Sequence, residues 1–308
     1  MTNATHDSQS KVFLNRTTKA DQSAIDKLEA QIADLDRRVD EALQEEGNVE
    51  AMVEKPSQIT IWGVPFSYVT LAGTLRYVDH LIAQGKPEYF ITANLNYNML
   101  TAKTPGVPAV NDKAAFIVCD GMPMVWWSRL LGKPLPERVA GSELIYALTK
   151  WAAIKGHRIF FLGGAPGVAA NAAQKLQERY PGLEVAGVEC PPFRPLTDEE
   201  TSEMIDRIRA SKPDILYCAL GQPKGEIWMS ENCEKIGVPV SVQLGASFDF
   251  VAGGVARAPI WIQKIGMVWA YRLYQEPKRL FGRYWNNGTF LLRSVCMELF
   301  QRGNRQTA

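Results

Sequence analysis

The sequence predicts an α/β fold: a parallel-sheet, Rossmann-like core with helices on both faces, an N-terminal amphipathic or coiled-coil helix and a basic helical C-terminal appendage. Three observations carry this prediction. From about Gln58, short β-rich apolar runs alternate with helical patterns over nearly 190 residues, as parallel βαβ units require. The stretch before it carries one long apolar stripe at helical spacing. The stretch after it is basic and aromatic. The chain therefore divides into 1–55, 56–254 and 255–308.

Residues 1–20 are polar and without period, the pattern of a disordered tail. Ile25, Leu28, Ile32, Leu35 and Val39 then recur every three or four residues, the seam of an amphipathic helix or short coiled coil. Gly47 and Pro56 end it. Such a helix must cover its stripe against the body or a partner, so it reads as a surface helix or an oligomerisation arm. Asp34-Leu35-Asp36 matches a DxD metal pattern literally, but Leu35 lies on the seam, which makes the pair a solvated face.

Strands are expected at 89–92, 115–119, 158–162, 184–188, 214–219 and 240–244. Helices are expected at about 70–84, 142–154, 168–179, 198–210 and 225–236. Thr197 with Glu200 forms a capping box, while Pro213 and Gly237 close two of the helices.

Composition narrows the class of function. The 308 residues are 46% hydrophobic and 22% charged, with a net charge of +1, enough apolar material for a core without staples. No run of about 18 apolar residues indicates a membrane span, and MTNATHDSQSKVFLNR has no apolar core of a signal peptide. Cysteines 119, 190, 218, 233 and 296 are odd in number and lack CxxC spacing. They read as thiols of a reducing cytosol, neither a disulfide frame nor a zinc site. Histidines 6, 80 and 157 do not cluster, and no Ser-His-Asp or HExxH pattern appears. Charge is uneven: residues 1–55 carry −5 and residues 255–308 carry +7. A basic end on a neutral body implies an anionic partner such as nucleic acid, anionic lipid or a diphosphate.

In an open parallel sheet, ligands bind beyond the carboxyl ends of the strands. Those exits read TANLN (92–96), Asp120-Gly121, GGAPG (163–167), Gly221-Gln222-Pro223 and GASFD (245–249). Turn geometry alone accounts for glycines there. It does not account for Asp120, a carboxylate directly after the apolar run AAFIVC, which is costly unless it faces a cleft or a partner. GGAPG before a helix offers backbone N–H groups to an anion, with a plain tight turn as the equal alternative.

Taken in order, these stretches resemble the WecG/TagA/CpsF glycosyltransferases, glycosyltransferase family twenty-six. The resemblance rests on TAN (92–94), Asp120-Gly121, RVAGSE (138–143), FFLGGAPGV (160–168), YPGL (180–183), LGQPKGE (220–226), ASFDF (246–250), AG…RAP (252–259) and WAYRLYQEPKRL (269–280). It covers about residues 58–285 and leaves 1–55 outside.

The resemblance implies an inverting, metal-independent, membrane-peripheral enzyme on the cytoplasmic face of the bacterial plasma membrane. It would move a sugar from a UDP-sugar to an undecaprenyl-diphosphate-linked sugar in surface-polysaccharide or wall-polymer assembly. By position, Asp120 matches the general base, Thr92 and Asn94 the polar pair beside it, and Arg138 the RxxG arginine. Asp249, with Gly163, Gly164, Gly221, Pro223 and Glu226 at the exits, falls where the family holds the nucleotide-sugar. Arg257 lies in the matching RAP stretch and is assigned to substrate. Arg272, Arg279 and Arg283 match the arginines of an appendage that closes over the site. Beyond UDP-sugar and lipid-linked acceptor, the expected partners are an anionic membrane surface and a homo-oligomer through the N-terminal helix or the core. No nucleic acid is expected.

The chemistry suits these residue types. A sugar hydroxyl needs a base during attack, which a carboxylate supplies. Without a metal, arginines must stabilise the leaving diphosphate. Trp261, Trp269, Tyr271, Tyr274, Tyr284 and Trp285, interleaved with Arg272, Lys278, Arg279 and Arg283, suit the headgroup region of an anionic bilayer. The plainer reading is a helical pair packing its aromatics on the body.

Three departures from the family bear on the donor. Gly225 stands where the family commonly has glutamine (PKQE or PRQE), Gly282-Arg283 replaces consecutive arginines, and GASFD replaces a GVG-type run. On the expectation that Gly225 opens space in the site, a donor without an N-acetyl group, such as a glucosyl donor, fits beside one of the UDP-N-acetylmannosamine type. Two rivals stay open. One is a nicotinamide-dinucleotide oxidoreductase that uses GGAPG with Glu189 as the ribose carboxylate. The other is an inactive scaffold of a polysaccharide assembly complex.

Overall fold

A computed structural model describes residues 19–46, 54–253, 258–259, 262 and 266–306. The chain begins with helix α1 (Lys19–Glu46) and a hairpin of β1 (Gln58–Ile61) and β2 (Val64–Ser67). Then follow α2 (Leu71–Gln84), β3 (Glu88–Ala93), α3 (Leu95–Lys103), α4 (Val107–Lys113), β4 (Phe116–Cys119), α5 (Met122–Leu130) and α6 (Gly141–Lys155). The second half runs β5 (Arg158–Gly163), α7 (Val168–Arg179), β6 (Glu184–Glu189), α8 (Asp198–Ala210), β7 (Ile215–Ala219), α9 (Lys224–Ile236), β8 (Val240–Gln243) and α10 (Ser247–Ala252). Helices α11 (Val268–Gln275) and α12 (Pro277–Gln306) close the described chain.

Strands β3 to β8 form one parallel sheet in the order β4-β3-β8-β7-β5-β6. All six strand expectations fall on these strands. The chain moves outward from β3 to β4 and, on the other side, from β5 to β6. It then returns to place β7 and β8 in the gap. The exits of β3, β4, β5, β7 and β8 thus surround one crevice at the carboxyl edge.

The apolar runs are continuous because both faces of the sheet are covered. Phe90, Phe116, Phe161 and Tyr217 enter one core with Trp151 of α6. Their neighbours Tyr89, Ile117, Phe160 and Leu216 enter the other.

The stripe of α1 is covered by the body: Ile32, Leu35, Val39 and Ala42 are buried in the first core. Polar contacts fix its register. Lys150 meets Asp40 at 2.6 Å, Arg38 meets Glu137 at 2.8 Å, and the Tyr180 hydroxyl donates to Asp36 at 2.7 Å. The Asp34 and Asp36 carboxylates are therefore surface ion-pair and hydrogen-bond groups, Asp34 pairing with Arg37.

Helix α12 packs on α3, burying Leu280, Asn287 and Ser294. Trp127 of α5 donates to its Glu298 at 2.9 Å. Phe281, Trp285, Leu292 and Phe300 on α12 are exposed. Among the described residues, no helix is long and apolar enough to cross a membrane.

Candidate active site

Asp120 follows β4 at the edge of the crevice, where its own N–H donates to Ala93 O of β3 at 2.9 Å. The next chain segment returns alongside, Val139 N donating to Cys119 O, and starts α6. No side chain caps α6 at Ala140. The Asp120 carboxylate takes that place, accepting from Gly141 N–H at the positive end of the helix. Burial raises its pKa to about 6 against the opposing pull of Arg138, Gly141 N–H and Arg272. Arg138 is itself held by Glu143 at 2.5 Å. The result is a carboxylate poised close to neutral pH.

Thr92, Asp120 and Ser247 converge on Gly141. A Cβ there would meet Thr92 Oγ1 at 3.4 Å, Ser247 Oγ at 3.5 Å and Asp120 Oδ2 at 3.7 Å. The Thr92 hydroxyl donates to Gln243 O at 2.9 Å. Asn94 caps α3, its side-chain oxygen accepting from Tyr97 N at 3.1 Å. Ser247 lay within a motif of the sequence but had no role assigned there.

Across the crevice, Gly163 must be glycine. Its φ is +101°, and a Cβ would lie 2.7 Å from Ala219 O. Gly164 N donates to the same carbonyl, which ties the β5 exit to that of β7. The β7 exit carries exposed Gly221 and half-buried Pro223, the latter after a cis peptide bond. Glu226 lies behind this loop with no exposed surface, and its carboxylate is favoured only by its own backbone N–H and the nearby Gln222 side chain, neither at full hydrogen-bond geometry. Burial raises its pKa to about 8. Glu189 pairs with Arg207 at 2.6 Å, so the carboxylate the dinucleotide reading needs is already engaged.

The appendage lies over this same crevice. Arg272 is close enough to Asp120 and Asp249 to favour both carboxylates, and Arg279 does the same for Asp249. Burial nevertheless raises the pKa of Asp249. Arg272 sits over the Phe250 ring at 5.3 Å, and its buried Nε has no hydrogen-bond partner among the described residues. Arg283 Nε donates to Asn96 Oδ1 at 3.1 Å, and Asn96 Nδ2 donates to Gln222 Oε1 at 3.1 Å. Desolvation, then the charges of Arg272 and Arg279, lower the pKa of Arg283. Three like charges gathered beside one opening raise the positive potential there. The Asn96 and Gln222 link was missed, although both residues stand in the exits read from the sequence. Arg257 and Trp261 lie outside the described residues.

One expectation is corrected. Gly225 does not open space. A Cβ there would lie 2.3 Å from the nearer end of the Gln243 carboxamide and 2.5 Å from its Cδ. The Gln243 carboxamide already fills that volume, so the argument for a glucosyl donor loses its basis.

The profile of the Glycosyl transferase WecG/TagA/CpsF family matches residues 59–305. The chain is 35% identical over 207 residues to an N-acetylglucosaminyldiphosphoundecaprenol N-acetyl-beta-D-mannosaminyltransferase of Bacillus spizizenii, covering 66% of this chain and 79% of the relative. It is 29% identical over 227 residues to the enzyme of the same name from Staphylococcus aureus strain MW2, covering 73% and 87%. A match across the whole sheet, the crevice and most of the appendage makes this chain a member of the WecG/TagA/CpsF glycosyltransferase family.

Proposed function

We propose that the protein transfers a sugar of the N-acetylmannosamine type from a UDP-sugar to an undecaprenyl-diphosphate-linked N-acetylglucosamine, with inversion, in surface-polysaccharide or wall-polymer assembly. The names of the relatives support the N-acetylmannosaminyl group transferred and the lipid-linked acceptor; the UDP carrier is part of the proposal. The observation that carries the mechanism is Asp120, raised to about 6 at the N-terminus of α6, with Arg272 beside it.

In this reading the acceptor hydroxyl oxygen attacks the anomeric carbon and Asp120 takes its proton. The bond from that carbon to the UDP oxygen breaks, and UDP leaves with the electron pair. One displacement inverts the configuration. A base near pKa 6 is ionised at neutral pH yet still basic enough to accept a proton. Arg272, Arg279 and Arg283 receive the diphosphate charge in place of a metal. Thr92, Asn94 and Arg138 hold the base side. Gly163, Gly164, Gly221, Pro223 and Asp249 form the donor side.

We assign the exposed aromatic face of α12 to an anionic bilayer, with the enzyme peripheral on its cytoplasmic side. A homo-oligomer would use a surface other than the α1 stripe, which the body covers. The test is a panel of UDP-sugars incubated with a short polyprenyl-diphosphate-N-acetylglucosamine and read by mass spectrometry. UDP-N-acetylmannosamine should give the disaccharide with wild type and none with Asp120→Ala. No transfer from any UDP-sugar, or unchanged turnover in the variant, refutes the reading.

A further inference from the structure

Gln243 ends β8, the strand between β3 and β7, and is 1% exposed. Its backbone oxygen accepts the Thr92 hydroxyl. Its side chain turns the other way, toward the β7 exit. Oriented by its hydrogen bonds, the amide nitrogen donates to Cys218 O at 2.8 Å and the amide oxygen accepts from Gly221 N at 3.0 Å. One residue therefore ties the base side of the crevice to the loop on the donor side. The next residue of that loop is Gln222, which bonds Asn96, which in turn bonds Arg283 of the appendage. Two hydrogen bonds thus link this loop to an appendage guanidinium.

Gly225, in the first turn of α9, packs directly against the Gln243 amide. Any side chain at 225 displaces the carboxamide and breaks its bonds to Cys218 O and Gly221 N. Positions 225 and 243 share one volume, and only one of them can carry a side chain into it.

We propose that Gln243 is a positioning residue for the nucleotide-sugar, acting through the Gly221–Pro223 loop and the Gln222–Asn96–Arg283 chain, and that Gly225 is glycine to admit its carboxamide. The inference rests on the glycosyl-transfer reading for its substrate, but its geometry is independent of it.

The test is a cycle of Gln243→Ala, Gly225→Ala and the double variant, measured by UDP affinity, thermal midpoint and the donor kcat and KM. Each single variant should weaken UDP binding and raise donor KM on the order of tenfold, the effect of lost buried hydrogen bonds. The kcat at saturating donor should change far less, because Asp120 is untouched. Gly225→Ala should lower the midpoint, although alanine is the better helix former. In the Gln243→Ala background the same methyl enters a vacated space, so it should leave the midpoint unchanged or raise it, and add nothing to the UDP defect.

Additive losses overturn the shared volume. A lowered midpoint with unchanged UDP affinity and donor KM makes Gln243 a packing residue only and overturns its positioning role. Wild type that binds UDP but transfers no sugar overturns the functional reading alone, since the cycle is still scored on affinity and midpoint. Failure of wild type to bind UDP overturns both.

Discussion

Replacing Asp120 by asparagine keeps the shape of the side chain and its acceptor toward Gly141 N–H while removing the titrating group. Two effects of opposite sign follow. Catalysis loses its base, a cost of about 10²–10⁴ in kcat. Stability rises, because the folded protein holds this carboxyl at about 6 against its ordinary value of 3.8. The sign follows from proton binding: below pH 3.8 both folded and unfolded carboxyls are neutral and the burial cost is absent. The cost grows as pH rises toward 6 and is constant above it. At pH 7 the shift corresponds to at most about 3 kcal/mol, which Asp120→Asn recovers in part. The assay pairs kcat with denaturant unfolding at pH 7 and pH 4.5. The variant should be nearly inactive at pH 7 and more stable than wild type there, with a smaller gain at pH 4.5. The wild-type rate should fall about tenfold per pH unit below 6. A variant with turnover within tenfold of wild type, or one less stable at pH 7, refutes the view of Asp120 as a strained base.

Glu226, raised by burial from 4.5 to about 8, should cost stability progressively as pH rises from about 4.5 to 8 and no further above that. Thermal midpoints from about pH 6 to 8 should fall for wild type and fall less for Glu226→Gln; parallel curves would contradict this. Leu35→Ala removes a side chain 4% exposed in the core beneath α1 and should cost about 2–4 kcal/mol in denaturant unfolding, whereas a change under about 0.5 kcal/mol would mean that α1 is not docked. Phe281→Ser with Trp285→Ser changes two exposed rings of α12 and should reduce co-sedimentation with anionic vesicles while leaving the unfolding midpoint unchanged. Unaltered vesicle binding would move the membrane contact elsewhere.

Much of the fold was legible because each parallel strand is buried on both faces and reads as an unbroken apolar run. Asp120 stood out for the same reason, as a carboxylate against the end of such a run. The β1–β2 hairpin was overlooked although Ile59 and Ile61 alternate with polar residues before the Trp62-Gly63 turn. Four-residue strands leave little pattern to find. Helices α3, α4, α5 and α10 run only six to nine residues, too short for a periodic stripe to emerge. The meaning of Gly225 was out of reach for another reason. A glycine records that something approaches it closely, without saying whether that is a ligand or, as here, the side chain of a residue eighteen positions later. The link from Arg283 to Asn96 spans 187 residues, and no local spacing encodes it.

Calorimetric titration of UDP into wild type, Arg272→Ala and Arg279→Ala addresses the meeting of base and appendage most directly. If the appendage cations complete the nucleotide site above Asp120, each substitution weakens UDP binding by about tenfold or more, and the loss shrinks as salt rises. Equal affinity in all three proteins would place the diphosphate elsewhere and separate the appendage from the chemistry at Asp120.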